Sequence, residues 1–247
     1  MPDPIYAIGD IHGQKAELDR VLGLIEVDGG MDAQVVFLGD YTDRGPDSRG
    51  VLDTLVAGQK AGRNWTFLKG NHDRMFEWFM QRPILHDPYM MVELYWLHPR
   101  LGGDTTLASY DVDAGPRRRE KDVQADARAV VPESHVTFLE GLKLSHTVGD
   151  LMFVHAGIRP GVPLDQQVEE DMLWIRNEFH DHTGPHPKII VHGHTPIRTA
   201  THYGNRVNLD TAAGYGEPLT AAVFEGTEGW SLTEHGRKAL QRDTETA

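Results

Sequence analysis

Three observations in the sequence predict an α/β fold. Short apolar runs recur, and each closes on a glycine-flanked acidic, amide or imidazole residue. Helical periodicity fills the gaps between the first three runs. The spacing is also nearly constant, with 30 positions from Asp10 to Asp40 and 31 from Asp40 to Asn71, as expected for consecutive βαβ units.

The first strand is Ile5-Tyr6-Ala7-Ile8, running into Gly9-Asp10-Ile11-His12-Gly13. Leu18, Val21, Leu22 and Ile25 stand at i, i+3, i+4 and i+7 and predict a helix that Gly29-Gly30 stops. Val35-Val36-Phe37-Leu38 is an unbroken apolar run, the pattern of a strand buried on both faces. It delivers Gly39-Asp40-Tyr41-Thr42-Asp43-Arg44-Gly45, with acidic residues at the carboxyl end of a strand, where open α/β sheets place their ligands. Val51, Leu52, Leu55 and Val56 predict a second helix, ended near Gly62, and Trp65-Thr66-Phe67-Leu68 a third strand closing on Gly70-Asn71-His72-Asp73.

From Arg74 to about Leu142 the pattern changes. Met, Trp and Tyr are dense between Met75 and Trp96, and Pro83, Pro88, Pro99 and Pro116 interrupt them. We read one domain spanning 1–247 that carries a mostly helical insertion or cap at about 75–142. The run Arg117-Arg118-Arg119 reads as solvated surface. Strand patterning then returns as a hairpin, Lys143–Val148 and Leu151–Val154, which ends at His155-Ala156-Gly157. A short helix is expected over Glu169–Glu178, carrying Trp174 and Arg176. Ile189-Ile190-Val191 is a buried strand closing on His192-Gly193-His194-Thr195-Pro196, and Thr199–Leu232 holds three or four further strands.

Bulk properties narrow the function. A formal charge of −13 disfavours nucleic acid as a partner. The absence of cysteine excludes disulfides and thiolate metal sites. No apolar run is long enough to span a membrane, and Met1-Pro2-Asp3-Pro4-Ile5 lacks the basic flank and apolar core of a signal peptide. The expectation is a cytoplasmic protein with no membrane or nucleic-acid partner.

Five strands therefore each deliver metal-competent residues at the same end: Asp10 and His12, Asp40, Asn71, His155, and His194. Taken singly, each has an ordinary explanation as a helix cap, a turn residue or a hydrogen-bonded histidine. Taken together they do not, because independent caps would not all fall on one side of glycine-marked strand ends. Carboxylate, imidazole and amide oxygen suit Mn²⁺, Fe or Zn²⁺. Asp40 has two oxygens and can bridge two ions, and Arg44 can grip phosphate.

The blocks Asp10-Ile11-His12-Gly13, Gly39-Asp40 through Asp43-Arg44-Gly45, Gly70-Asn71-His72-Asp73, His155-Ala156-Gly157 and Gly193-His194-Thr195-Pro196 resemble those of calcineurin-like metallophosphoesterases. They most resemble the phosphoprotein phosphatase branch in its bacterial serine/threonine form. The resemblance implies a four-layer fold, with two mixed β-sheets packed as a sandwich and flanked by helices. It also implies two divalent ions, Mn²⁺ first and Fe or Zn as alternatives. Asp10 and His12 would hold one ion, Asp40 would bridge, and Asn71, His155 and His194 would complete the other. Arg44 and Arg176 would clamp phosphate, with Asn71 also near substrate. Arg159, close to His155 in sequence, is read either as reaching substrate or as a surface ion pair. His72, oriented by Asp43, would protonate the leaving oxygen during in-line attack by a hydroxide on the dimetal centre. His192 matches no ligand and is expected to be structural, and Tyr215 is expected either to line the site or to sit in the core.

The first expected activity is removal of phosphate from phosphoserine or phosphothreonine in proteins and peptides, with small phosphoesters as further substrates. The alternative is hydrolysis of a dinucleoside polyphosphate such as diadenosine tetraphosphate. An inactive phosphate-binding scaffold is the reading from another class.

Overall fold

A computed structural model describes residues 3–90 and 94–243. The insertion's residues 91–93 and the first two residues of the N-terminal reading lie outside them.

The chain opens with Ile5–Ile8 (β1), Lys15–Gly29 (α1), Gln34–Phe37 (β2), Ser48–Lys60 (α2), Trp65–Phe67 (β3) and Asn71–Met80 (α3). The three strands pair in parallel. Gly103–Ala108 (α4), Glu120–Val130 (α5) and Glu133–Glu140 (α6) follow, in the segment read from the sequence as an insertion. Ser145–Val148 (β4) and Leu151–Val154 (β5) then form the antiparallel hairpin. Glu169–Trp174 (α7), Asn177–His180 (α8) and Ile189–His192 (β6) follow. The remaining strands are Thr201–His202 (β7), Arg206–Asn208 (β8), Ala221–Glu225 (β9), Glu228–Thr233 (β10), Gly236–Ala239 (β11) and Gln241–Arg242 (β12).

Two six-stranded mixed sheets result, ordered β11-β10-β9-β1-β2-β3 and β12-β7-β8-β6-β5-β4. Strand alternation explains why they stack. Ile5, Ala7 and Val36 from one sheet meet Leu151, Phe153, Val191 and Val207 from the other in one buried cluster. Their neighbours Tyr6, Ile8, Val35 and Phe37 point the opposite way, onto Leu18, Val21 and Ile25 of α1 and Val51, Leu52 and Leu55 of α2. Met152, Val154 and Ile190 likewise turn outward onto Met172, Ile175 and Phe179. The result is helices, sheet, sheet, helices: the four-layer sandwich, with apolar runs because both faces of each central strand are covered.

Three local differences from the sequence reading matter. The helix expected over Glu169–Glu178 is broken, since Ile175 is extended and Arg176 adopts φ −133°, ψ −96°. The break gives a two-residue alternation in which Leu173 and Ile175 are buried while Trp174 and Arg176 face a cleft, a division that a continuous helix does not make. The last two strands were not anticipated. Gly236-Arg237-Lys238-Ala239 is exposed throughout, so no apolar alternation marks it. At the hairpin, Lys143 lies outside β4 and bridges to Leu68 instead.

Candidate metal centre

All six residues assigned as ligands from the sequence lie at the carboxyl-terminal rim of the sheets, and all are buried. Several sit in the left-handed backbone region, which bulky side chains avoid: His12 at φ 46°, Asp40 at 51°, Asp43 at 74°, Arg44 at 65° and His194 at 67°. Such conformations cost energy and gather at functional sites. Two glycines make room for the carboxylates. A Cβ at Gly70 would collide with Asp40 Oδ1, and one at Gly193 with Asp10 Oδ1.

Among the described residues, two clusters offer a cation three closely spaced donors each: His12, Asp40 and His72, and Asp40, His155 and His194. Asp40 belongs to both. Its Oδ2 lies 3.4 Å from His12 Nε2 and its Oδ1 3.4 Å from His155 Nε2, so each carboxylate oxygen faces a different imidazole. Asn71 Oδ1 is 3.0 Å from His155 Nε2 and 2.9 Å from His194 Nδ1. Asp10 Oδ2 accepts the His194 backbone N–H at 2.9 Å.

The donor set fits cations for three reasons. His12 and His155 commit Nδ1 to the backbone carbonyls of Thr42 and Leu38 at 2.8 and 2.9 Å. That is the usual outer hydrogen bond of a metal-bound histidine, and it leaves Nε2 as the inward lone pair. His155 Nε2 then faces Asn71 Oδ1, an acceptor against an acceptor, which a shared cation or an added proton relieves. Burial opposes the proton, holding the imidazoles of His12, His155 and His194 below their ordinary pKa. Asp10 Oδ1 and His194 Nε2 are buried with no hydrogen-bond partner. Finally, negative charge is crowded: burial, then Asp210 and Asp40, push the Asp10 carboxyl well above its usual range. Burial, with Asp40 adding to it, pushes Asp210 up to about 6 against the pull of the Ala212 N–H.

Beside the ligands, His72 Nδ1 donates to Asp43 Oδ2 at 2.6 Å. The Arg44 guanidinium reaches His12 Nε2 and lies 3.0 Å from His72 Nε2. Arg176 donates to Thr195 Oγ1 at 2.9 Å and lines the same cleft of about 340 Å³ as Arg44, Asp40, Asn71, His72 and His194. Arg159 is set apart from that cleft. Its guanidinium pairs with Asp171 at 2.6 and 2.7 Å and borders an adjoining hollow. His192 is packed between His180 and Phe179, with Nε2 3.2 Å from Arg206, a structural position. Tyr215 is not in the core: it is 65% exposed, with the Arg44 guanidinium 4.9 Å from its ring centre.

Sequence reasoning missed four residues. Asp73 accepts the N–H groups of Asp40, Tyr41 and Gly70 at 2.8, 2.9 and 2.9 Å, fixing the loop that carries Asp40. Trp96 and Thr106, from the insertion, donate to Asp43 at 2.8 and 2.7 Å. Arg74 is fully buried and pairs with Asp87 at 2.7 Å. The only sequence cue was a charged residue beginning each helix turn or an isolated polar residue among apolar ones, which is too common to single them out.

Fold and centre together define a metallophosphoesterase. The family model for calcineurin-like phosphoesterases matches residues 3–224, and the chain belongs to that family, whose dimetal centre finds its donor set here. Among similar proteins, a bis(5'-nucleosyl)-tetraphosphatase PrpE (asymmetrical) of Anoxybacillus flavithermus is 28% identical over 245 residues, covering 90% of each chain. One of Bacillus cereus is 27% identical over 250 residues at the same coverage. A crystal structure described as a candidate diadenosine tetraphosphatase superposes with TM-score 0.64 at 23% identity, covering 93% of each chain. A cold-active protein-tyrosine phosphatase of Shewanella gives 0.62 at 17% identity, covering 98% of this chain and 83% of that one. These two structures establish the fold alone. No helix among the described residues is long and apolar enough to cross a membrane.

Proposed function

We propose that this protein hydrolyses a phosphoanhydride bond of dinucleoside polyphosphates, with diadenosine tetraphosphate as the representative substrate. The supporting observation is the name carried by similar proteins along nine-tenths of their length, joined to a phosphate-clamp cleft with aromatic walls. This puts the alternative ahead of the phosphoserine and phosphothreonine reading. The protein phosphatases of similar fold stand at 16–17% identity and carry the fold alone.

In this reading Asp10, His12, Asp40, Asn71, His155 and His194 hold two divalent cations, Mn²⁺ first. When bound, the cations supply Lewis acidity, activating water near neutral pH and offsetting phosphate charge. The chain's own groups do the rest. Arg44 and Arg176 grip the oxygens of the reacting phosphoryl group, and the Asn71 amide lies beside it. Asp43 fixes the His72 ring through Nδ1, leaving Nε2 toward the cleft. The imidazolium form of His72 gives its Nε2 proton to the leaving oxygen as the bridging P–O bond breaks, while the attacking water loses a proton to solvent and its oxygen bonds to phosphorus. Because every one of these groups is present and assembled, the inactive-scaffold reading has no support in the site.

The test compares turnover of diadenosine tetraphosphate with that of phosphoserine and phosphothreonine peptides in Mn²⁺. The dinucleotide is expected to turn over faster by orders of magnitude. Faster peptide dephosphorylation would reinstate the protein-phosphatase reading, and no turnover of either would favour the scaffold.

A further inference from the structure

The catalytic cleft does not end at the phosphate clamps. Beyond Arg44 and Arg176 its wall is apolar and aromatic, formed by Tyr89, Met90 and Leu101 of the insertion and by Trp174, with Arg100 at the edge. Tyr89 is 53% exposed, and its ring runs near-parallel to that of Trp174, 20° apart in plane with centroids 6.3 Å apart. An exposed tyrosine beside a cationic cleft is an ordinary surface feature unless something holds it in place.

Here something does. Asp87, itself 4% exposed, accepts the Tyr89 backbone N–H at 3.0 Å and the Trp174 indole N–H at 3.2 Å. Buried Arg74 neutralises Asp87 from behind at 2.7 Å and also reaches Glu169 on α7 at 3.3 Å. One buried carboxylate thus anchors the Tyr89 backbone and the Trp174 indole, 85 positions apart in sequence, so that the two rings lie side by side next to the phosphate site. A half-exposed aromatic face backed by a second, near-parallel ring suits a planar heterocycle, since base stacking on an aromatic side chain is favourable and needs little hydrogen-bond readout. An extended peptide would need partners for its backbone N–H and C=O groups, and Met90, Leu101 and the face of Trp174 supply none.

We propose that the Tyr89–Trp174 shelf is a nucleobase subsite, and that the insertion's role is to seat the nucleoside whose phosphate chain enters the metal cleft past Arg100 and Arg176. The proposal rests on the dinucleotide reading above and makes it more specific.

AMP and ribose 5-phosphate, which differ in the base, separate the two ideas. Binding is followed by calorimetry on the full chain, for the native protein and for Tyr89→Ala and Tyr89→Phe. AMP is expected to bind at least fivefold more tightly than ribose 5-phosphate to the native protein and to Tyr89→Phe, and equally to Tyr89→Ala. In turnover, Tyr89→Ala is expected to lower the ratio of kcat/KM for diadenosine tetraphosphate to that for p-nitrophenyl phosphate at least tenfold. Equal binding of AMP and ribose 5-phosphate by the native protein overturns the subsite even if the dinucleotide is hydrolysed. A base preference that survives in Tyr89→Ala overturns it as well. A base preference lost in Tyr89→Ala, without hydrolysis of the dinucleotide, keeps the subsite and removes the proposed activity.

Discussion

The indole N–H of Trp96 donates to Asp43 Oδ2 at 2.8 Å, the same oxygen that receives His72 Nδ1. Thr106 Oγ1 donates to the other oxygen at 2.7 Å while accepting the Asp43 N–H. Two residues of the segment between α3 and β4 thereby hold the carboxylate that orients His72. Trp96→Phe removes one hydrogen bond to a buried charged group, worth about 1.5–3 kcal/mol. We expect urea unfolding to register a loss of that order and alkyl phosphate turnover to fall roughly tenfold, the equivalent of about 1.4 kcal/mol. Native turnover in a destabilised variant would confine Trp96 to packing.

His72→Asn removes the proposed proton donor while leaving a side chain of moderate size. Loss should be about 10²–10⁴-fold on alkyl phosphates and much smaller on aryl phosphates, whose leaving groups need little protonation. Equal losses on the two series would remove His72 from the acid role.

Asp40→Asn weakens both cation positions together, because one carboxylate faces both donor clusters. Elemental analysis after purification in Mn²⁺ should find the metal content of both positions reduced, alongside turnover. Full occupancy with lost turnover would mean that Asp40 acts on substrate rather than on the ions.

His180 and His186 give a pH dependence that is separate from catalysis. Burial first, then Arg206 for His180 and His182 for His186, lowers each imidazole from 6.5 to about 4. Between those values the unfolded chain binds protons that the folded chain refuses. Stability is therefore full above the unfolded value and is lost as pH falls through that window. Melting temperature in EDTA should drop as pH falls from 6.5 toward 4, and the slope should flatten in the double variant His180→Gln/His186→Gln. An unchanged slope would assign the effect to other groups.

The sequence by itself picked out the candidate ligands and the βαβ succession of the first three strands. Each ligand follows a buried apolar run at a glycine-marked end, so Asp10, Asp40, Asn71, His155 and His194 were legible one strand at a time. What surrounds them was not. Asp73 holds Asp40 from 33 positions away, Trp96 holds Asp43 from 53, and Asp87 reaches Trp174 across 87. Periodicity reports which face of an element is buried, but says nothing of which polar atom will meet which across the core. Those pairings exist only once the insertion folds back onto the rim, and there the tertiary structure decided how the acid is held and where the aromatic shelf stands.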